Sequence, residues 1–285
     1  MTCLDVLPLE IRRAASEHSD VLTGIRLRPE KPLQLEYPDG DKLSVMISRE
    51  QFEAAVLSLM GHSLYARQNE LDEGYFMLPD GSRAGVCGRF AGHGPRSVSD
   101  ISSVYIRMAR EIKGCADGVT DVIKDKKGVL VISPPGKGKT TLLRDIARQL
   151  SDSGDTVCII DERGEIAACS EGIPALDVGM RTDVLTGCRK DVGIMLAIRA
   201  SAPKVIITDE IGGERDAAAI ADAARCGVRI VASAHGYAAE EGRLRPVLRS
   251  LVSEGIFDMG VLLGPETGSI SKIVYYKEDG SDFHG

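Results

Sequence analysis

Residues 129–150, V-L-V-I-S-P-P-G-K-G-K-T-T-L-L-R-D-I-A-R-Q-L, leave this chain little freedom in its fold. Residues 129–132 form a short, wholly apolar run, as a strand buried on both faces requires. A Pro/Gly/Lys loop follows, and then Leu142, Leu143, Ile146, Ala147 and Leu150 recur at helical spacing. A strand that passes through a glycine-rich loop and Lys-Thr into a helix makes a phosphate cradle. Successive backbone N–H groups and the positive end of the helix converge on one point. The spacing assigns Pro135, Gly136, Lys137, Gly138, Lys139, Thr140 and Thr141 to ATP. Lys139 is expected to reach the β- and γ-phosphates, and the Thr140 hydroxyl to ligate Mg²⁺. The alternative is a Gly/Pro turn that binds nothing. One position departs from the usual pattern: Ser133 stands six residues before the lysine, where glycine ordinarily relaxes the backbone.

Beyond this stretch, apolar strands at 156–160, 205–208 and 228–232 alternate with helical segments at 192–201 and 216–225. That order predicts an α/β domain with a mostly parallel sheet covered by helices, which binds ligands at the carboxyl ends of its strands. Polar clusters stand at those ends. Asp161, Glu162 and Glu165 follow the first strand, Asp209 and Glu210 the second, and His235 the third. Phosphoryl transfer to water needs a held Mg²⁺ and a group that orients the water. Asp209 is therefore expected in the Mg²⁺ shell and Glu210 beside the water. Asp161, Glu162 and Glu165 would add carboxylates, and His235 would sense the γ-phosphate. Against this, each cluster taken alone reads equally as an ordinary solvated strand end.

Residues 1–112 differ in character and predict a smaller α+β domain. A helix over 4–15, a strand at 25–28 with 43–47 returning beside it, and a helix started by Ser48 and Gln51 are expected. A hairpin over 75–90 turns at Pro79-Asp80-Gly81. Arg107 and Arg110 follow; they are solvated charge on one face, or one of them is an arginine finger for a γ-phosphate. Residues 113–127 are polar and read as a linker, with a short helix near 119–123, and 128–285 form the ATPase domain.

Composition narrows the class. The net charge of −7 argues against a nucleic-acid partner. Seven scattered cysteines without a C-x-x-C pattern fit free thiols in a reducing cytosol. No apolar run approaches the roughly 20 residues of a membrane span, and no signal peptide is visible.

Several segments also carry a resemblance. S-P-P-G-K-G-K-T-T-L-L-R-D, I-I-D-E-R-G-E-I-A, R-T-D-V-L-T-G-C-R-K, P-K-V-I-I-T-D-E-I-G-G-E-R-D and A-S-A-H-G occur in that order. I-R-L-R-P-E-K-P-L, G-Y-F-M-L-P-D-G-S-R-A-G-V-C-G-R-F and I-R-M-A-R-E-I-K-G-C-A-D precede them. Together they resemble the stage III sporulation protein AA family of endospore-forming bacteria, related to the type II and type IV secretion ATPases. The resemblance implies a RecA-like ATPase assembled as a hexameric ring. Asp161, Glu162 and Glu165 match an Asp box, Glu210 a second Walker motif and His235 a His box. Arg107 and Arg110, with Arg181 and Arg199 behind them, match arginines that complete the site from the N-terminal domain or a neighbouring subunit. Implied partners are membrane proteins of the sporulation channel, with this chain peripheral on the mother-cell cytoplasmic side. A nucleic-acid-dependent ATPase and a nucleotide-gated scaffold are the competing expectations.

Overall fold

The computed structural model describes residues 2–17, 21–61, 71–72, 74–90, 98–109, 111–170, 172–240, 243–266, 268–276 and 282–283. The chain divides into two compact units. The first is Met1–Arg110 with Ala168–Leu176, and the second is Glu111–Ala167 with Asp177–Gly285.

The first unit starts with a 3-10 turn, Cys3–Val6, and helix α1, Leu9–Ser16. The sequence predicts one helix here. Pro8 divides it, because proline has no N–H to continue the ladder and is tolerated only at a helix start. Strands β1 (Gly24–Leu27), β2 (Lys31–Tyr37) and β3 (Gly40–Ile47) form a meander, and helix α2 (Arg49–Leu59) follows. The partner of β1 is β2, not the 43–47 segment. Leu33 and Leu35 are its inward positions, and Pro32 is accommodated near the strand start at a register shift. The α2 cap is as expected: Ser48 Oγ accepts from Gln51 N at 3.2 Å, and Ser48 N donates to Gln51 Oε1 at 2.8 Å. Strands β4 (Tyr75–Met77), β5 (Arg83–Phe90) and β6 (Val98–Arg107) complete a six-stranded sheet in the order β3-β2-β1-β6-β5-β4. Gly88 marks a register shift in β5, as a glycine bulge does. Gly81, at φ +81°, turns the hairpin, and a Cβ there would lie 2.8 Å from Ala168 Cβ. That close approach explains why the excursion Ala168–Leu176 belongs to the first unit although it leaves and re-enters the sequence of the second.

Residues 113–127 are not a free linker. Ala116, Val119 and Ile123 are fully buried, and helix α3 (Thr120–Ile123) forms within the segment. Ala116 N donates to Asp145 Oδ2 at 2.9 Å. The short helix expected near 119–123 is present, and Ala116 and Val119 dock the turn that leads into it.

The second unit is built on β7 (Gly128–Ser133), helix α4 (Lys139–Asp152), β8 (Val157–Asp161), β9 (Thr182–Thr186), helix α5 (Lys190–Ala200), β10 (Val205–Glu210), helix α6 (Glu214–Arg225) and β11 (Arg229–His235). Helix α7 (Pro246–Ser253), β12 (Met259–Leu263), β13 (Ile270–Tyr276) and β14 (Asp282–Phe283) close it. The sheet order is β14-β13-β12-β7-β11-β10-β8-β9. Six strands, β12 to β9 in that order, run parallel, and β13 and β14 are antiparallel. Every residue of β7 and β8 is buried, as parallel strands covered on both faces must be. Parallel register then sets the carboxyl ends of β7, β11, β10 and β8 in one row: His235 stands opposite Ser133, Glu210 opposite Ser233, and Thr208 opposite Ile160.

Candidate active site

At the end of β7 the chain turns through 134–138 and enters α4 at Lys139. Gly136 and Gly138 lie at φ +75° and +88°, left-handed conformations in which side-chain-bearing residues are strained. Around Gly136 the position of a Cβ is open space, with no atom within 4 Å. The first amide with an intrahelical acceptor is Leu142 N, bonded to Gly138 O at 2.9 Å, so the amides before it face outward from the helix start. Ser133 is the last residue of β7 and is not among the residues with positive φ. Serine therefore fits where the usual pattern has glycine, and its Oγ donates to Pro134 O at 2.8 Å. Thr140 and Thr141 are half-buried in the first turn of α4. Lys137 is taken up by the β12–β13 turn: its Nζ donates to Pro265 O at 2.6 Å, and its carbonyl accepts from Gly268 N at 3.1 Å.

Lys139 connects this loop to the neighbouring strands. Its Nζ lies 2.9 Å from Ser133 O, 3.1 Å from Pro134 O and 3.0 Å from His235 Nδ1. An ammonium only donates, so Nδ1 is the acceptor and the ring hydrogen sits on Nε2. Nε2 meets Glu210 Oε2 at 3.1 Å. Burial pulls the Lys139 ammonium below its ordinary range, against the opposing charge of Glu210. Lys139, His235 and Glu210 thus form one chain across three adjacent strand ends.

Asp209 and Glu210 join different networks. A register shift between Thr208 and Glu210 interrupts the pairing of β10 with β11. Glu210 reaches His235, and Asp209 reaches Lys190 at the start of α5. Lys190 Nζ is 2.6 Å from Asp209 Oδ1 and 2.9 Å from Glu162 Oε2. The first of these is a close charge contact, because Asp209 Oδ1 accepts no aligned hydrogen bond. Burial disfavours the Lys190 ammonium, but Asp209 and Glu162 outweigh it and hold its pKa above the ordinary value.

The loop after β8 is organised by Asp161, which is wholly buried. Its Oδ1 accepts from Glu165 N at 2.9 Å, and its Oδ2 from Ile166 N at 3.0 Å and Ala167 N at 2.9 Å. Burial raises its pKa in spite of these three bonds. Both oxygens are therefore engaged in building the loop. Arg144, buried in α4, donates to Ile166 O and to Glu165 O, pinning the same loop from the other side. Glu165 is exposed at the resulting turn.

Of the arginines, Arg107 closes β6 in the first unit, exposed and in register with Gly24 and Arg83. Arg110 lies outside the described residues. Arg181 and Arg199 are exposed on the second unit. The sequence reading missed Lys190 and Arg144. The signal for Lys190 was its place in R-K-D at a helix start, where a cation opposes the helix dipole. Arg144 had none beyond being an arginine on the apolar side of a helix.

Comparison with known proteins identifies relatives in sequence and in fold. The profile of the family described as sporulation stage III, protein AA, matches residues 2–283. The stage III sporulation protein AA of Bacillus subtilis strain 168 is 36% identical over 296 residues, covering 97% of this chain and 95% of that protein. Among solved structures, the pilus retraction motor PilT with bound ADP superposes with a TM-score of 0.64 at 15% identity, covering 100% of this chain and 83% of PilT. The DotB ATPase of Legionella pneumophila superposes with a TM-score of 0.61 at 15% identity, covering 97% and 79%. The fold of the second unit is accordingly the RecA-like phosphate-loop fold of the secretion ATPases. A profile match over nearly the whole length and a full-length relative at this identity establish that the chain belongs to the sporulation stage III protein AA family.

Proposed function

We propose that this chain is a Mg²⁺-dependent ATPase that acts as a homo-oligomer, with a hexameric ring as the expected form, and powers a sporulation channel from the mother-cell side. The observation that carries the reading is the connected path Lys139–His235–Glu210 at the mouth of the glycine loop. The residues fit Mg²⁺-ATP. Thr140 and Asp209 are hard oxygen donors of the kind Mg²⁺ takes, and the space at Gly136 leaves room for phosphate oxygens against the backbone. The bound metal would neutralise charge on the β- and γ-oxygens.

The chain's own groups do the rest. Lys139 and the first-turn amides of α4 bind and orient the phosphates. Glu210 orients a water and accepts its proton, and the His235 Nε2–H fixes which carboxylate oxygen is free to do so. Because the same imidazole accepts from Lys139, any shift of the lysine toward a phosphate reaches Glu210 through one ring. Asp161 and Arg144 shape the loop that presents Glu162 and Glu165. Arg107 or Arg110, supplied by the first unit of this or a neighbouring chain, would complete the charge balance.

The sporulation setting is carried over from the Bacillus subtilis relative, and the motor role from neighbours described as an ATPase and a retraction motor. The net charge of −7 favours protein partners over nucleic acid. Glu210→Gln should retain nucleotide binding and lose about 10²-fold or more of turnover, the range of a removed general base. Lys139→Ala should lose nucleotide binding. Turnover in Glu210→Gln equal to wild type would overturn the assignment. Sedimentation as a monomer with and without ATP would overturn the ring.

A further inference from the structure

Lys190 is placed against two ordinary rules. It is the first residue of α5, at the positive end of the helix, where a cation is disfavoured. It is also 5% exposed, a burial that lysine avoids unless paired. Packing alone would be served better by an apolar residue. Its ammonium instead bridges carboxylates from two strand ends: Asp209 on β10, at 2.6 Å, and Glu162 just after β8, at 2.9 Å. The cleft beside it, about 490 Å³, is lined also by Arg189, Asp191, Glu214, Arg215 and Asp216. Of these, Arg189 is engaged with Asp191 at 2.6 Å. Lys190 is the cation held between Asp209 and Glu162.

We propose that Lys190 is a positioning residue that acts as the fixed counter-cation of this carboxylate pair, so that the strand ends take up a divalent metal only together with a nucleotide. The inference rests on reading Asp209 as part of the Mg²⁺ shell. Two carboxylates brought this close without a cation would form a hard-oxygen site with charge −2, which suits a divalent ion. With the ammonium between them the pair carries −1 and its inner oxygens are occupied. That is too little to strip water from Mg²⁺, which dehydrates reluctantly. The triphosphate then supplies the missing negative charge, so metal and nucleotide enter as one ligand. Lys190 meanwhile keeps Asp209 and Glu162 in place between turnovers.

The test is a Mn²⁺ titration of the full-length, nucleotide-free chain, read by electron paramagnetic resonance. Wild type should bind Mn²⁺ only weakly. Lys190→Met should bind it at least about tenfold more tightly, because both carboxylates become available. Lys190→Arg should restore the weak binding, and Lys190→Met combined with Glu162→Gln should lose the gain. A folded Lys190→Met chain with wild-type Mn²⁺ affinity overturns the proposal. Micromolar Mn²⁺ binding by wild type without nucleotide overturns it as well, and that measurement needs no variant to fold. None of these readouts requires hydrolysis, so an inactive chain that showed the Mn²⁺ contrast would separate this inference from the proposed ATPase activity.

Discussion

Replacing Asp161 by alanine removes the acceptor for three backbone amides at once, and its cost can be worked out from the contacts. The bonds to Glu165 N, Ile166 N and Ala167 N measure 2.9, 3.0 and 2.9 Å, and the carboxylate is fully buried. Each buried amide left without its acceptor costs about 1 kcal/mol, whichever protonation state the carboxyl holds. The net loss is about 3 kcal/mol. Asp161→Asn keeps one acceptor oxygen and should lose about 1–2 kcal/mol.

The pH dependence separates the two forms further. Burial raises the Asp161 pKa above its ordinary 3.8. A carboxyl raised in the folded state contributes stability that is fully present below the unfolded value and is lost as pH rises through the folded one. Wild type should lose this contribution as pH climbs above 3.8, and Asp161→Asn should not. The chain has no Trp, so urea unfolding is followed by far-UV circular dichroism, with hydrogen exchange at residues 165–167 to localise the effect. A loss under about 1 kcal/mol for Asp161→Ala, with exchange at those amides unchanged, would refute the argument that this carboxylate builds the loop.

Three further expectations follow from described contacts. Ser133→Gly should leave ATP affinity within about twofold and lower stability by roughly 0.5–1 kcal/mol, since Ser133 needs no positive φ and its hydroxyl gives up one short bond to Pro134 O and a longer one, 3.3 Å, from Lys139 Nζ; a large gain in affinity would show that the serine distorts the loop. Gly81→Val should destabilise the first unit by about 2 kcal/mol or more, because it adds a left-handed β-branched residue and a Cβ 2.8 Å from Ala168 Cβ; an unchanged urea midpoint would contradict this. Thiol titration at pH 8 should label Cys87 and Cys226, which are exposed, while burial pushes Cys158 up to about 11 and Cys3 up to about 12 and keeps both protonated; fast labelling of Cys158 would mean that β8 opens.

The parallel sheet was legible because its strands are written as unbroken apolar runs, and the polar row at their ends follows from parallel register. The glycine loop was legible because only glycine serves cheaply at 136 and 138. What the sequence concealed was direction. Asp209 and Glu210 read as a single tandem, yet the register shift in β10 sends one to Lys190 and the other to His235. Asp161 read as a carboxylate among carboxylates, and only the three amides folded back on it reveal a scaffold. The edge strand β9, T-D-V-L-T, was missed because half-exposed positions dilute its apolar signal. Residues 113–127 read as a linker because the three apolar positions that dock them, Ala116, Val119 and Ile123, are scattered among ten polar, charged or glycine residues.

The excursion Ala168–Leu176 has a topological consequence. The chain passes between the two units at 110/111, at 167/168 and at 176/177, so three covalent strands join them. A single protease nick at 110/111 therefore leaves 168–176 of the C-terminal fragment packed in the first unit, so the two fragments should stay together under native conditions and separate on denaturing electrophoresis. The second crossing begins one bond beyond Ala167, whose amide is bonded to Asp161. The last residue before that crossing is thus tied directly to the carboxylate that shapes the loop after β8.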